Sequence, residues 1–382
     1  MTPGQQDARS VVAGQALAIA AAWSPVGAPA GWSLTAETLV AIAEEDVLLD
    51  LAAEIPLDRL PPLLLAAAVS FLVRERRPPM VRHYPEPGGS RPPPDPGFRA
   101  ELVEFARAER DGLAELCATH RYQMNEVGRC ADVLPVLAMI AEEDDRPLAV
   151  VDLGTGAGLG LHLDRYHYTY RTAGSPDRTV GEPSSPVRLT CEVRSGGDRL
   201  PVPSALPVVA DRVGVDVEPL DVADPHTFAW LAACVPPEAG AVTRFAAAAA
   251  IARADPARAV RGNLLDVLED VVDSIAPEAL VCLVDTYVHV FLPPADLRRF
   301  DRLLAGLGRR RDLEWVSVDP LVPLGPDARA GVQGLDVPAD WVRDARAGGV
   351  FGVVGRVRIR GGRRSGTVLG RAHPGAAWLE WR

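Results

Sequence analysis

Val150-Val-Asp152-Leu-Gly154-Thr155-Gly156-Ala-Gly158-Leu-Gly160 is the stretch that decides the fold class of this 382-residue chain. It continues a short apolar run, Leu148 to Leu153, that ends on an acid and then on glycines at every second position. An apolar run of that length closed by glycine reads as a buried strand entering a tight turn. The glycines let the backbone bend sharply and approach a ligand closely. The helix start expected after them offers unpaired N–H groups.

The spacing then separates two kinds of ligand. A dinucleotide fingerprint needs a third glycine three residues after the second, but the positions three beyond Gly156 and Gly158 are Leu159 and Leu161, so that pattern fails. The acid two residues before the first glycine, Asp152, favours S-adenosylmethionine instead, whose ammonium a carboxylate there holds directly or through water. A strand-to-helix turn without a ligand is the alternative.

Outward from this loop, apolar runs and helical patterns alternate. Strands are expected at Val213 to Val217, Ala259 to Arg261, Leu280 to Val284 and Leu313 to Val318. Helices are expected at Thr227 to Ala233, Ala241 to Ala254, Leu264 to Ile275 and Pro294 to Leu307. Strands separated by helices of this length give a parallel sheet with helices on both faces. Val350 to Arg360 and Arg363 to Arg371, joined by Gly361-Gly362, then read as an antiparallel hairpin, with a last strand ending at Trp381. The expected fold class is therefore α/β: a Rossmann-like, doubly wound sheet of the class I methyltransferase type that ends in an antiparallel hairpin. About fifty extra residues, 164–212, interrupt it with a candidate strand at Val187 to Arg194.

Toward the N-terminus, helical spacing runs over Thr35 to Leu51, Leu60 to Arg76 and Phe98 to Ala118, with proline-rich breaks between. A further helix, Met124 to Glu142, leads into the first strand. Residues 1–122 thus read as a helical region and 123–382 as the cofactor-binding domain. The polar stretch from Tyr84 to Pro96 reads as a loop between helices, a connector or a lid.

Composition narrows the functions. A formal charge of -11 repels nucleic acid and anionic membranes at long range, so neither is an expected partner. The chain contains no lysine, which excludes Schiff-base and P-loop chemistry. The five cysteines are scattered, without a C-x-x-C pair, so no disulfide framework or zinc site is signalled and a reducing cytoplasm fits. No apolar stretch is long enough to span a bilayer.

Candidate site residues cluster at the expected strand ends. After the second strand, Asp216 and then Glu218 are placed to accept the ribose hydroxyls, or Asp216 is a turn or cap residue. After the third, Asn263 is placed to touch the adenine, or it caps the following helix. After the fourth, Asp285 or His289 is placed to act as general base with Tyr287 orienting it, although His289 also fits a core histidine. Just beyond the glycine loop, His162, Arg165 and Tyr166 are expected to line the mouth of the site and touch substrate. No metal is expected.

Three blocks carry a family resemblance: Gln123-Met-Asn125-Glu126-Val-Gly128-Arg129-Cys130-Ala, the glycine loop running on into Leu163-Asp164-Arg165-Tyr166, and Arg212-Val-Gly214-Val-Asp216 through Asp221-Val. In that order they resemble the family catalogued as domain of unknown function 2332, over roughly residues 35–325. The resemblance implies a methyltransferase-like fold with a helical N-terminal part, and a place in the site for Asn125, Glu126 and Arg129. Glu126 and Arg129 as a structural ion pair are the alternative. The family pattern has a glutamate where Asp152 stands, Ala-Ser where Thr155-Gly156 stands, asparagines where Gly160 and Glu218 stand, and a histidine where Asp285 stands. Such departures fit a specialised member, one from a biosynthetic pathway.

Three functions follow as expectations. The first is S-adenosylmethionine-dependent methyl transfer to an oxygen or nitrogen of a small molecule. The second keeps the fold for an intramolecular displacement or cyclisation, and the third makes the chain a partner subunit of an enzyme complex.

Overall fold

The computed structural model describes residues 3–23, 33–84, 95–236, 240–321 and 331–382. Most of the loop expected from Tyr84 to Pro96 lies outside the described residues. In chain order the helices are α1 (Pro3–Trp23), α2 (Leu34–Glu44), α3 (Asp46–Ala53), α4 (Pro61–Arg76), α5 (Phe98–Ala108), α6 (Arg110–Thr119) and α7 (Cys130–Glu143). Then come β1 (Leu148–Leu153), β2 (His167–Thr172), β3 (Arg178–Val180), β4 (Arg188–Ser195), β5 (Val209–Asp216), α8 (Pro225–Cys234) and α9 (Ala241–Ala254). After them lie β6 (Arg258–Arg261), α10 (Leu264–Ser274), β7 (Leu280–Thr286), α11 (Pro294–Leu307) and β8 (Leu313–Pro320). The chain closes with β9 (Gly331–Val332), β10 (Leu335–Asp336), α12 (Ala339–Arg346), β11 (Gly352–Arg360), β12 (Arg363–Ala372) and β13 (Trp378–Trp381).

Two compact units are present: Met1–Asn125 with Ala223–Ala246, and Glu126–Val222 with Ala247–Arg382. The first is helical. Two of its expected helices are each broken in two, at Glu45, whose backbone is extended (φ -98°, ψ 117°), and at Glu109. Both halves of each pair turn their apolar side chains into one core, so the periodicity survives the break. Ser33 caps α2 by accepting the Ala36 N–H at 3.0 Å. The boundary expected at residue 122 also misses a segment, because α8 packs into this unit rather than into the α/β unit. There the Trp230 ring lies 5.7 Å from that of Phe71, and its Nε1 donates to the Arg121 carbonyl at 3.0 Å.

The second unit is mixed α/β, built on an eleven-stranded sheet in the order β3-β2-β4-β13-β12-β11-β8-β7-β1-β5-β6. From β8 to β6 all neighbours run parallel, and β1 and β7 are buried almost throughout, as strands covered on both faces must be. On one face α10 and α11 supply Leu265, Leu268, Phe300 and Leu304 to a core shared with Val151, Leu283 and Trp315. On the other, Glu143 of α7 meets Arg356 of β11.

The hairpin β11–β12 is antiparallel, as expected. It turns on Gly361 and Gly362 at φ 53° and 73°, the left-handed pair that a two-residue turn requires. It does not end the sheet, however. β13 pairs with β12 on one side and, in parallel, with β4 on the other, so the inserted segment continues the sheet through β4, β2 and β3. The one strand expected in the insertion is three.

Tyr166, Tyr168 and Tyr170, at alternating positions, are all buried, and their hydroxyls donate to the carbonyls of Leu159, Leu163 and Ala131 at 2.6, 2.6 and 2.9 Å. This corrects the expected substrate role of Tyr166. Its hydroxyl is spent on the backbone of the 3-10 segment Leu159–Arg165, which stands where a helix, short or elaborated, was expected after the glycine loop.

Candidate functional site at the carboxyl ends of the parallel strands

In an open parallel sheet, ligands settle outside the carboxyl ends of the strands, where the strand order reverses. Here that point is β1, flanked by β5 on one side and β7 on the other. The register sets Leu153 opposite both Val215 and Asp285, so three neighbouring strand ends carry Asp152, Asp216 and Asp285.

The glycine loop follows β1 with Gly154, Gly156 and Gly158 at φ 67°, 54° and 71°. Each is left-handed, which explains why glycine recurs at every second position. Gly154 is needed for space as well, since a Cβ there would lie 2.7 Å from Cγ2 of Val288. The N–H groups expected to be unpaired are largely committed. Those of Gly154 and Thr155 donate to the Val215 carbonyl at 2.8 and 3.2 Å, and that of Gly156 to Asp216 Oδ2 at 2.9 Å. Asp216 also accepts the Glu218 N–H on Oδ1 at 2.9 Å, so it fastens the loop to the end of β5 and keeps part of its acceptor capacity. Glu218 itself is exposed.

Asp152 is half-buried behind the loop and accepts the Thr155 hydroxyl at 2.8 Å. Burial pushes its carboxyl up to about 7, the Thr155 hydrogen bond opposes this, and the charges of Asp216 and Asp285 add to it. Asn263 accepts the Leu265 N–H at 2.9 Å and is the N-cap of α10.

Asp285 near the end of β7, His289 just after it and Asp319 near the end of β8 come together as a group of titratable side chains. His289 Nδ1 lies 3.1 Å from Asp285 Oδ1 and 2.6 Å from Asp319 Oδ2. Trp315 Nε1 donates to Asp285 Oδ2 at 2.6 Å, the Ser317 hydroxyl to Asp319 Oδ2 at 3.2 Å, and the Val290 N–H to Asp319 Oδ1 at 3.3 Å. Burial works against a charged imidazole, yet the two aspartates prevail and push His289 up to about 10. Asp319, buried beside Asp285, is held well above the usual carboxylate range. A general base expected at Asp285 or His289 is therefore not the form this cluster takes at neutral pH: the imidazole is cationic and Asp285 is bonded on both oxygens.

Tyr287 has a left-handed backbone (φ 61°), and the Arg129 guanidinium lies 4.2 Å above its ring. Its hydroxyl is buried without a hydrogen bond among the described residues. Arg129 Nε donates to the Pro374 carbonyl at 3.1 Å, and Glu126 accepts the Gly128 N–H at 2.8 Å. Asn125 is the last residue of the helical unit's first segment, its amide donating to the Gln123 carbonyl at 3.3 Å.

His162 is buried, with its pKa lowered first by burial and then by Arg212. Arg165 forms an exposed ion pair with Asp255 at 2.9 Å. Neither His162 nor Tyr166 is a surface for substrate.

Sequence reasoning missed Trp315, Ser317 and Asp319. The strand was expected to end at Val318, two residues short of its end at Pro320, although the alternation Leu313, Trp315, Ser317, Asp319 is the signal for one face that turns polar toward its end. Asp132, fully buried on α7 with neither oxygen hydrogen-bonded among the described residues, was missed as well. No sequence signal distinguishes it from an ordinary first-turn acid.

All five cysteines are buried free thiols. Among the described residues no helix is long and apolar enough to cross a membrane. No curated protein matches the chain. A family model does match it, over residues 21–381, and the resemblance read from three short blocks extends to nearly the whole sequence. The chain belongs to the family described as uncharacterized protein conserved in bacteria, DUF2332.

Proposed function

We propose that the α/β unit binds S-adenosylmethionine at the carboxyl ends of β1 and β5 and directs methyl transfer to an oxygen or nitrogen of a small molecule. The observation that carries this reading is the charge around Asp152. This carboxyl is half-buried, and the charges acting on it are those of Asp216 and Asp285, both negative. A cationic ligand complements such a site, and S-adenosylmethionine brings a sulfonium and an ammonium. The residues fit the group in one further respect: Asp216 has acceptor positions left for a ribose diol.

Bound there, the cofactor supplies the electrophilic methyl group. The chain's own part is positioning: Asp152 and Asp216 orient the cofactor, and aligning donor and acceptor is where such catalysis gains most. His289, held as a cation, donates a hydrogen bond and does not accept a proton.

Calorimetric titration with S-adenosylmethionine and S-adenosylhomocysteine tests the reading. Micromolar binding is expected, weakened at least about 10-fold in Asp152→Asn and Asp216→Asn, equivalent to about 1.4 kcal/mol. Affinity of the wild type rises as pH passes 7, because the ligand selects the ionised Asp152. Absence of binding to the folded wild type at millimolar ligand overturns the proposal.

A further inference from the structure

We infer that Asp285, His289 and Asp319 form a binding site for one divalent transition-metal ion of the Mn2+ or Zn2+ kind, at the carboxyl ends of β7 and β8. This inference does not rest on the cofactor reading, although an ion held there would offset the Asp285 charge on which that reading draws. Each residue offers one donor atom, and the three atoms lie within 4.8 Å of one another.

The geometry is oversupplied with oxygen for a proton. His289 Nδ1 has three oxygen neighbours, Asp319 Oδ2 at 2.6 Å, Asp285 Oδ1 at 3.1 Å and Ser317 Oγ at 3.4 Å. One ring nitrogen carries one hydrogen. A metal ion takes several donors at once, at about 2.0 to 2.2 Å from nitrogen and oxygen. Ligand atoms at such distances from one ion lie about 3.0 to 3.4 Å apart, so Asp319 Oδ2, at 2.6 Å from Nδ1, has to draw back by roughly half an ångström or more to admit it, and Asp285 Oδ1, at 3.1 Å, by little.

The outer oxygens are already anchored. Trp315 Nε1 holds Asp285 Oδ2 at 2.6 Å and the Val290 N–H holds Asp319 Oδ1 at 3.3 Å, which turns the other oxygen of each carboxylate toward the imidazole. Outer hydrogen bonds of this kind fix the orientation of metal ligands. Charge favours the ion too: two carboxylates, a neutral imidazole and a dication sum to zero, which suits a group with Asp285 and Asp319 at 1% and 0% exposure. The mixed imidazole and carboxylate set favours Zn2+ or Mn2+ over a wholly oxygen-bound cation.

The other group of similar composition, His83, Asp95 and Glu101, is different in kind, since Arg82 pairs with both its carboxylates and neutralises them.

The test uses chelator-treated full-length protein and the metals alone, so it reads nothing of the cofactor. MnCl2 and ZnCl2 are titrated in calorimetry, and bound Mn2+ is counted by electron paramagnetic resonance. One ion per chain is expected, with proton release on binding seen as a dependence of the heat on buffer ionisation, and a rise in Tm. Asp319→Asn should weaken binding by more than about 10-fold. Trp315→Phe, which leaves all three ligands in place and frees only the outer oxygen of Asp285, should weaken it less. Failure of folded wild type to bind either ion stoichiometrically, or wild-type affinity in a folded Asp319→Asn protein, overturns the inference.

Discussion

Glu314 and Asp319 lie five residues apart on β8, both wholly buried, and they live in opposite chemical worlds. Glu314 faces the side of the sheet covered by α7 and accepts from Arg356 Nε at 2.9 Å, Arg358 Nε at 3.0 Å and Arg360 Nη2 at 3.0 Å. Asp319 faces the other side, where its neighbours are Asp285, His289 and Ser317. Burial raises the pKa of both carboxyls. Guanidinium groups never release their proton, so the Glu314 network has one charge state and is suited to holding strands together. A carboxylate, an imidazole and a second carboxylate exchange protons among themselves, so the Asp319 cluster has several states and is suited to binding and chemistry. The lesson is that burial alone does not mark a functional acid; the titratability of its partners does.

The largest effect expected from this contrast is on stability. Arg356→Ala leaves Glu314 without its closest partner and should cost about 3–5 kcal/mol in urea-induced unfolding. Asp319→Asn in metal-free protein should cost under about 1.5 kcal/mol, because the amide keeps the shape and hydrogen-bonding capacity of a carboxyl whose ionisation burial disfavours. Equal losses in the two variants would erase the distinction.

Two acids of the α/β unit should also respond to pH in opposite directions. Asp144 is held down to about 2, first by its hydrogen bond to Arg146, with Arg360 also contributing. Its folded pKa lies below the unfolded value, so its stabilisation is full above about 4 and is lost as pH falls through 2. Asp152 is pushed up to about 7. Between about 4 and 7 the folded chain holds a proton that the unfolded chain has released, so this group's contribution falls as pH rises across that window and stays low above it. Each effect is of the order of a few kcal/mol. Unfolding measured from pH 3 to 9 should show the Asp152→Asn protein without the decline toward neutrality and the Asp144→Asn protein without the acid loss. A decline unchanged by Asp152→Asn would place its origin elsewhere.

The smallest effect sharpens the reassignment of the tyrosine face. Tyr166→Phe removes one hydroxyl bonded to the Leu159 carbonyl at 2.6 Å and should cost about 1 kcal/mol in thermal unfolding. S-adenosylmethionine binding should be unchanged in that variant. A selective loss of binding with stability intact would return Tyr166 to the site.

How much of this was legible in the sequence depends on how local the determinant is. The glycine loop, the Gly361-Gly362 turn and the Asn263 cap are settled by a few adjacent residues, and each stands where its spacing placed it. The breaks at Glu45 and Glu109 were not legible, because helical periodicity continues across them. Nor was the three-residue strand β3, which exists through its pairing with β2. Asp319 escaped notice for a related reason: its significance comes from Asp285 and His289, about thirty residues away in the chain and in hydrogen-bond contact across neighbouring strands.

The sequence by itself determined the α/β class, the parallel run around β1, the acid behind the glycine loop and the family, since alternation, helical period and glycine turns act over a few residues. Tertiary structure alone decided that α8 joins the helical unit, that the insertion extends the sheet beyond the hairpin, and that Glu314 meets arginines where Asp319 meets an acid and a histidine. The physical reason is that register and strand order choose the neighbours of a buried charge, and those neighbours set its protonation.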